Sequence, residues 1–209
     1  FLYAYQGLAE VYSVVAVDHH GHGRGLRDDA PFDLERVADD VASVLRVLDV
    51  GPVVAVGYSM GGPVAMYLAR RHPALVNGLV LQATALEFHT GRFERVRWRF
   101  VALMSPVARS WWFSRSVGIG LRLAARRNKE IREILPWLVA EIGRNDARTV
   151  ASAGRALSRH DARPWASSVQ VPAASVVTKK DRLVPARKQR ALANALSARI
   201  FEIPSGHLG

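Results

Sequence analysis

Cysteine is absent from all 209 residues, which removes disulfides, thiolate metal sites and a cysteine nucleophile together. The chain opens at Phe1 without a charged-then-apolar leader, so no signal peptide is visible and the expected setting is cytoplasmic. Basic residues are plentiful, with a formal net charge of +11 and a sequence pI near 10.9, arginine supplying most of it. What is missing is a basic run of five or more or any nucleic-acid-binding motif, so a solvated arginine-rich surface is expected and nucleic acid is not expected as a partner. Twenty uncharged residues lie between Asp49 and Arg70, long enough for a membrane span, but Gly51, Pro52, Gly57, Gly61, Gly62 and Pro63 interrupt them. Strand, turn and helix are the better reading, with no transmembrane segment.

What is present is a chain of one-domain length, 49% hydrophobic, with enough apolar residues for a sizeable core. Its organising stretch is Gly57-Tyr58-Ser59-Met60-Gly61, a G-x-S-x-G pentapeptide. Spacing alone is a weak signal, since glycine and serine are common. The context is informative: Val53-Val54-Ala55-Val56 reads as a buried strand, and Pro63 to Arg71 as a helix with its proline in the first turn. Such a strand, turn and helix hold a serine in a strained conformation with its Oγ exposed. Glycines on both sides are expected to remove side chains that would collide with the neighbouring strand and helix. The N–H of Met60, at the helix N-terminus, is placed to stabilise an oxyanion.

Before this stretch, residues 1 to 11 read as the end of an amphipathic helix and Tyr12 to Val17 as a buried strand ending in Asp18. His19, His20 and His22 follow in a loop, but with neither a helical i, i+4 pair nor a nearby cysteine a metal is not expected. Asp33 caps a helix whose Leu34, Val37, Val41, Val44, Leu45 and Leu48 form one apolar face. Asp39 and Asp40 fall on its outer face, where solvation is expected in preference to catalysis. Leu79 to Thr84 is a further strand, and this alternation demands a parallel sheet.

From about Leu86 to Trp165 the alternation breaks into helical stretches, such as Val117 to Arg127 and Lys129 to Gly143, that hold all five tryptophans. Core packing is the expected role of those indoles, with a lipid-facing surface as the alternative. After Pro172 the α/β pattern resumes: a strand at 173–178, a loop with Asp181, a helix from Ala186 to Leu196, a strand at 199–203, and then His207. Asp181 and His207 each follow a strand, as Ser59 does. Asp161, beside His160, is a rival acid away from any predicted strand end.

The pentapeptide, the chain order Ser59, Asp181, His207, the D-x-x-V-P and G-H surroundings, and the D-x-x-G-x-G stretch at Asp18, Gly21 and Gly23 resemble the α/β-hydrolase superfamily. The resemblance covers nearly the whole chain. It implies an α/β fold with a mostly parallel sheet flanked by helices, N-terminally truncated, with a core at 1–85 and 166–209 and an inserted helical cap at 86–165. Ser59 would be the nucleophile, His207 the base, Asp181 the acid that orients it, and Met60 N–H one oxyanion donor. One departure is that no strand and H-G loop before Tyr12 supplies the superfamily's second donor.

The resemblance therefore implies a serine hydrolase that cleaves an ester-like bond of a small or lipid-like substrate through an acyl-enzyme, without a cofactor. Acyltransferases and haloperoxidases share the fold and triad. A non-catalytic binding module that keeps only the pocket is the alternative from another class, and lipid-surface contact through the cap a third.

Overall fold

The structure, a computed structural model, describes residues 2–88, 140 and 147–207. Four strands, β1 (Val53–Tyr58), β2 (Val76–Gln82), β3 (Ala173–Thr178) and β4 (Arg199–Ile203), form one sheet in that order, and every neighbouring pair is parallel. Parallel strands bring all four carboxyl ends to one rim, which is where the candidate residues fall.

The helices are α1 (Leu2–Ala9), α2 (Leu34–Val47), α3 (Gly61–Arg71), α4 (Ala147–Arg159) and α5 (Ala186–Ala195). α2 begins where Asp33, in an extended conformation, accepts the N–H of Arg36 at 2.9 Å, satisfying one of the first-turn donors that a helix leaves unpaired. Its buried face of Leu34, Val37, Ala38, Ala42 and Leu45 packs on α3. α3 in turn buries Val64, Ala65, Met66, Leu68 and Ala69 and lies against β1 and β2, while α5 contributes Leu192 and lies against β3. These residues form one continuous core, driven by removal of about 25 cal/mol of unfavourable hydration per Å² of apolar surface.

Two further features fix the helices. Arg71, at the end of α3, reaches Glu35 at 2.7 Å and Asp39 at 2.8 Å on α2, and His72 Nε2 lies 2.7 Å from Asp39. Asp39 is thus a tie between helices, a correction to the expectation of a merely solvated carboxylate. The second feature is a pairing of distant chain: Glu87 and Asp161 form an antiparallel bridge, and Ala162 N–H donates to the Leu86 carbonyl at 2.8 Å. The two ends of the 86–165 segment therefore lie side by side.

The strand expected at 12–17 is not formed; these residues pair with no described strand, and Tyr12 and Val15 are exposed. Apolar β-branched residues favour a strand only when a neighbour takes up their N–H and C=O groups. For the same reason β1, at the edge of the described sheet, buries Ala55 and Gly57 but exposes Val54 and Val56, where burial of the whole run was expected. α1 is helical as expected, yet Tyr5 and Leu8 are exposed. The predicted helices at 117–127 and 129–143 lie outside the described residues apart from residue 140, as do Trp98, Trp111, Trp112 and Trp137. Trp165 is half-buried, 5.0 Å from the Tyr67 ring, with the Arg70 guanidinium 4.7 Å over its indole. Among the described residues no helix is long and apolar enough to cross a membrane.

His160 sits in the same aromatic cluster, 5% exposed, and burial pushes its pKa down to about 4. A histidine lowered from its unfolded value of 6.5 favours the neutral form in the folded state. Its contribution is therefore full above pH 6.5 and is lost as pH falls towards 4, at about 1.4 kcal/mol per pH unit of separation. Urea midpoints are expected to decline over that interval, and His160→Phe is expected to flatten the decline. Equal slopes in the two proteins would assign the acid sensitivity to other groups.

Candidate active site

Ser59 follows β1 directly and adopts φ 50°, a left-handed conformation that non-glycine residues rarely take. Its N–H donates to the Gln82 carbonyl at the end of β2 at 2.9 Å, and its own carbonyl accepts the Gly62 N–H at 3.0 Å to start α3. These two bonds hold the turn from both sides. A Cβ on Gly57 would come within 2.5 Å of the Gly61 carbonyl oxygen and 2.7 Å of the Gly62 Cα, so only glycine fits there. The second motif glycine behaves differently: a Cβ on Gly61 meets nothing within 4 Å, whereas one on Gly62 would lie 2.3 Å from Thr84 Oγ1. The expectation that both motif glycines relieve crowding is corrected accordingly, because the backbone of the helix start closes on position 57 and Thr84 on position 62, while position 61 faces open space.

Asp181 follows β3 in a loop that surrounds its carboxylate with donors. Oδ1 accepts the N–H groups of Leu183 at 2.8 Å and Val184 at 2.9 Å, and Oδ2 accepts the Thr178 hydroxyl at 3.0 Å. Burial alone would raise its pKa, but the Val184 N–H, His207, the Leu183 N–H and Thr178 together hold it below the usual carboxylate value. It is an acceptor at neutral pH. The loop itself is braced by Gln189 of α5, which donates to Thr178 Oγ1 at 2.8 Å and the Val184 carbonyl at 2.7 Å, and accepts the Thr178 N–H at 3.0 Å.

His207 follows β4, on a loop joined to that of Asp181 by the Lys179 N–H to Ile203 and Lys180 N–H to Ser205 carbonyl bonds, 3.0 and 2.9 Å. Its Nδ1 lies 2.8 Å from Asp181 Oδ2 and its Nε2 3.1 Å from Ser59 Oγ. An ionised carboxylate can only accept, so Nδ1 carries the proton and Nε2 presents its lone pair to the serine hydroxyl. The three residues separated along the chain thus meet in one hydrogen-bonded line, half-buried at the serine and fully buried at the Asp181 side chain. The Met60 N–H, at the N-cap of α3, finds no acceptor among the described residues and is free to donate.

Sequence reasoning missed Thr178, Gln189 and Tyr58. Gln189 carried a signal: it shares an i, i+3, i+7 stripe with Leu192 and Leu196, and a polar residue in an apolar stripe needs partners inside. The Tyr58 hydroxyl donates to the His207 carbonyl, and its ring lies 5.4 Å from the imidazole. Tyr58→Phe is expected to lower kcat about fivefold with KM unchanged, the loss of one hydrogen bond worth about 1 kcal/mol that positions the loop. Steady-state kinetics alongside circular dichroism checks this; an unaltered kcat would make the bond structural only.

The remaining candidates lie elsewhere. Asp161 pairs with Arg163 at 2.6 Å and does not join the triad line. His20 Nε2 lies 2.9 Å from Asp28 and its Nδ1 3.6 Å from Asp40, while His22 meets the Phe32 ring edge-on at 5.3 Å. Among the described residues no group of three or more histidine and carboxylate side chains is arranged to hold a metal ion.

The chain is similar to several known proteins. The sequence pattern described as serine aminopeptidase, S33, matches residues 5–204. The chain is 31% identical over 190 residues to a pimeloyl-[acyl-carrier protein] methyl ester esterase of Neisseria meningitidis, a match covering 86% of this chain and 69% of that protein. It is 39% identical over 74 residues to an uncharacterised protein of Mycobacterium tuberculosis, covering 35% of this chain and 22%, about a fifth, of that relative's length. Among solved structures, the enol-lactonase of Burkholderia xenovorans LB400 superimposes with a TM-score of 0.81 at 24% identity, covering 97% of this chain and 76% of that one. At that identity the likeness is one of fold.

Proposed function

The chain belongs to the serine aminopeptidase S33 family of α/β-hydrolase-fold proteins, and from that premise we propose that it is a serine hydrolase cleaving an ester-like bond of a small or lipophilic substrate through an acyl-enzyme. The observation that carries this reading is the line from Asp181 through His207 to Ser59, with contacts of 2.8 and 3.1 Å.

In the proposed reaction, Ser59 Oγ attacks the carbonyl carbon as its proton passes to His207 Nε2. The imidazolium that forms is stabilised by Asp181, whose own donors keep it ionised. The negative charge that develops on the carbonyl oxygen is met by the Met60 N–H at the helix N-terminus. Collapse of the tetrahedral species expels the alcohol, which takes the proton from His207. Water then repeats the sequence on the acyl-enzyme and releases the acid. None of these steps calls on a cofactor.

An ester is favoured over other acyl compounds because the 31% identical relative bears the name of an ester hydrolase. The segment 86–165 is given the part of a cap over the acyl pocket. Its paired ends at Glu87 and Asp161 suit an insertion that leaves and rejoins the core at one place, and its Phe88 and Leu157 cluster with Met60 and Val184 beside the triad. Specificity for the acyl or alcohol group would then reside there.

A fluorophosphonate probe tests the reading directly, since it reacts only with an activated hydroxyl. Peptide mass spectrometry is expected to find the adduct on Ser59. A protein that is folded and stays unlabelled, or is labelled elsewhere, contradicts the proposal and leaves a binding module in its place.

A further inference from the structure

Away from the triad, the loop before α2, the first turn of α2, Tyr67 of α3 and the last turns of α4 border a half-open cavity of about 450 Å³. None of Ser59, Asp181 and His207 lines it. Its lining includes His160, which is 5% exposed and whose two ring nitrogens both lack a hydrogen-bond partner among the described residues. Leaving a buried polar atom unpaired costs about 1–3 kcal/mol, so a native site that keeps two such atoms at a cavity wall calls for a function.

The walls supply the rest of the chemistry. Arg155 and Arg159 stand one helical turn apart on α4, both exposed, both lining the cavity, and neither forms an ion pair with a described carboxylate. Side chains at this spacing lie on the same helix face, about 6 Å apart at Cβ, within reach of one anionic group. Of the acidic residues at the opposite rim, Glu35 is neutralised by Arg71, whereas Asp33 meets only a backbone N–H, that of Arg36, among the described residues and keeps its charge, so two guanidinium groups outweigh one uncompensated carboxylate. Phe32 and Tyr67 add apolar surface beside them.

We propose that this cavity is a second ligand site that binds a small organic anion, a carboxylate or phosphate on an apolar body, with its charged oxygens on Arg155 and Arg159 and His160 hydrogen-bonding from the wall. The apolar body lies along Phe32 and Tyr67. His160, neutral at physiological pH because burial lowers its pKa to about 4, offers one donor and one acceptor and so suits a partly protonated or mixed polar group without adding a third charge. The site is independent of the hydrolytic reading, because the cavity and the triad share no residue.

The test is calorimetric titration of the full chain with benzoate and with phenyl phosphate, the two arms separating carboxylate from phosphate recognition. Saturable binding of one of them is expected below about 10 mM, at equal strength in Ser59→Ala. Affinity is expected to fall about tenfold or more in the double variant R155A/R159A. Both positions are exposed, and circular dichroism with fluorophosphonate labelling of Ser59 reports on their folding; the single variant R159E serves as a second reading of the same contact. Failure of both probes to bind overturns the proposal. So does binding that is lost in Ser59→Ala or unchanged in R155A/R159A and R159E, since either would place the anion elsewhere.

Discussion

Ser59→Ala is expected to lower turnover of p-nitrophenyl butyrate by about 10⁵-fold, with circular dichroism and urea midpoint unchanged. Among the described residues the serine hydroxyl has one side-chain hydrogen-bond partner, His207 Nε2 at 3.1 Å, so its removal takes away the proposed nucleophile and little packing. The backbone bonds that hold the turn, from the Ser59 N–H to Gln82 and from the Gly62 N–H to Ser59, involve main-chain atoms that alanine retains. Residual rate would come from the Met60 N–H and from binding, which do not depend on Oγ. A loss smaller than about tenfold would mean that another group performs the attack.

The second large effect is on folding. Gly57→Ala places a methyl group 2.5 Å from one backbone oxygen and 2.7 Å from a backbone carbon, and neither can move without shifting the start of α3. A destabilisation of about 3 kcal/mol is expected, at the upper end of overpacking costs, together with loss of activity as Ser59 is displaced. Gly61→Ala is the contrasting case. Its methyl group meets nothing within 4 Å, and alanine is favoured over glycine in a helix by about 1 kcal/mol, so stability should hold or rise slightly. Urea unfolding of the two variants provides the comparison; similar midpoints would show that the crowding at Gly57 is absorbed by the turn.

The contrast marks how far residue order carried. The runs that became β1 to β4, the helices α2, α3 and α5, and the three polar residues after strand ends were legible because each depends on local pattern and on the parallel arrangement that alternation demands. Tyr12 to Val17 has the same pattern and forms no strand, since pairing is a non-local event that composition does not encode. The pentapeptide could not tell a crowded glycine from an open one, for that depends on which atoms the fold brings against each. Likewise Asp39 looked like a surface carboxylate until Arg71, 32 residues later, was brought to it. Gln189 and Thr178 brace Asp181 from a helix and a strand that meet only in the folded chain.

The sheet is also a ruler for the reaction. Ser59, Asp181 and His207 leave from the first, third and fourth strands, and strands lie about 4.8 Å apart, so the proposed proton transfer would run across the sheet, perpendicular to the direction in which its strands could slide. A slip of β3 and β4 against β2 by one residue, about 3.3 Å, would part the imidazole from the hydroxyl while every strand and helix kept its shape. Partial loosening by denaturant should therefore silence hydrolysis at concentrations where far-ultraviolet ellipticity still reads as native.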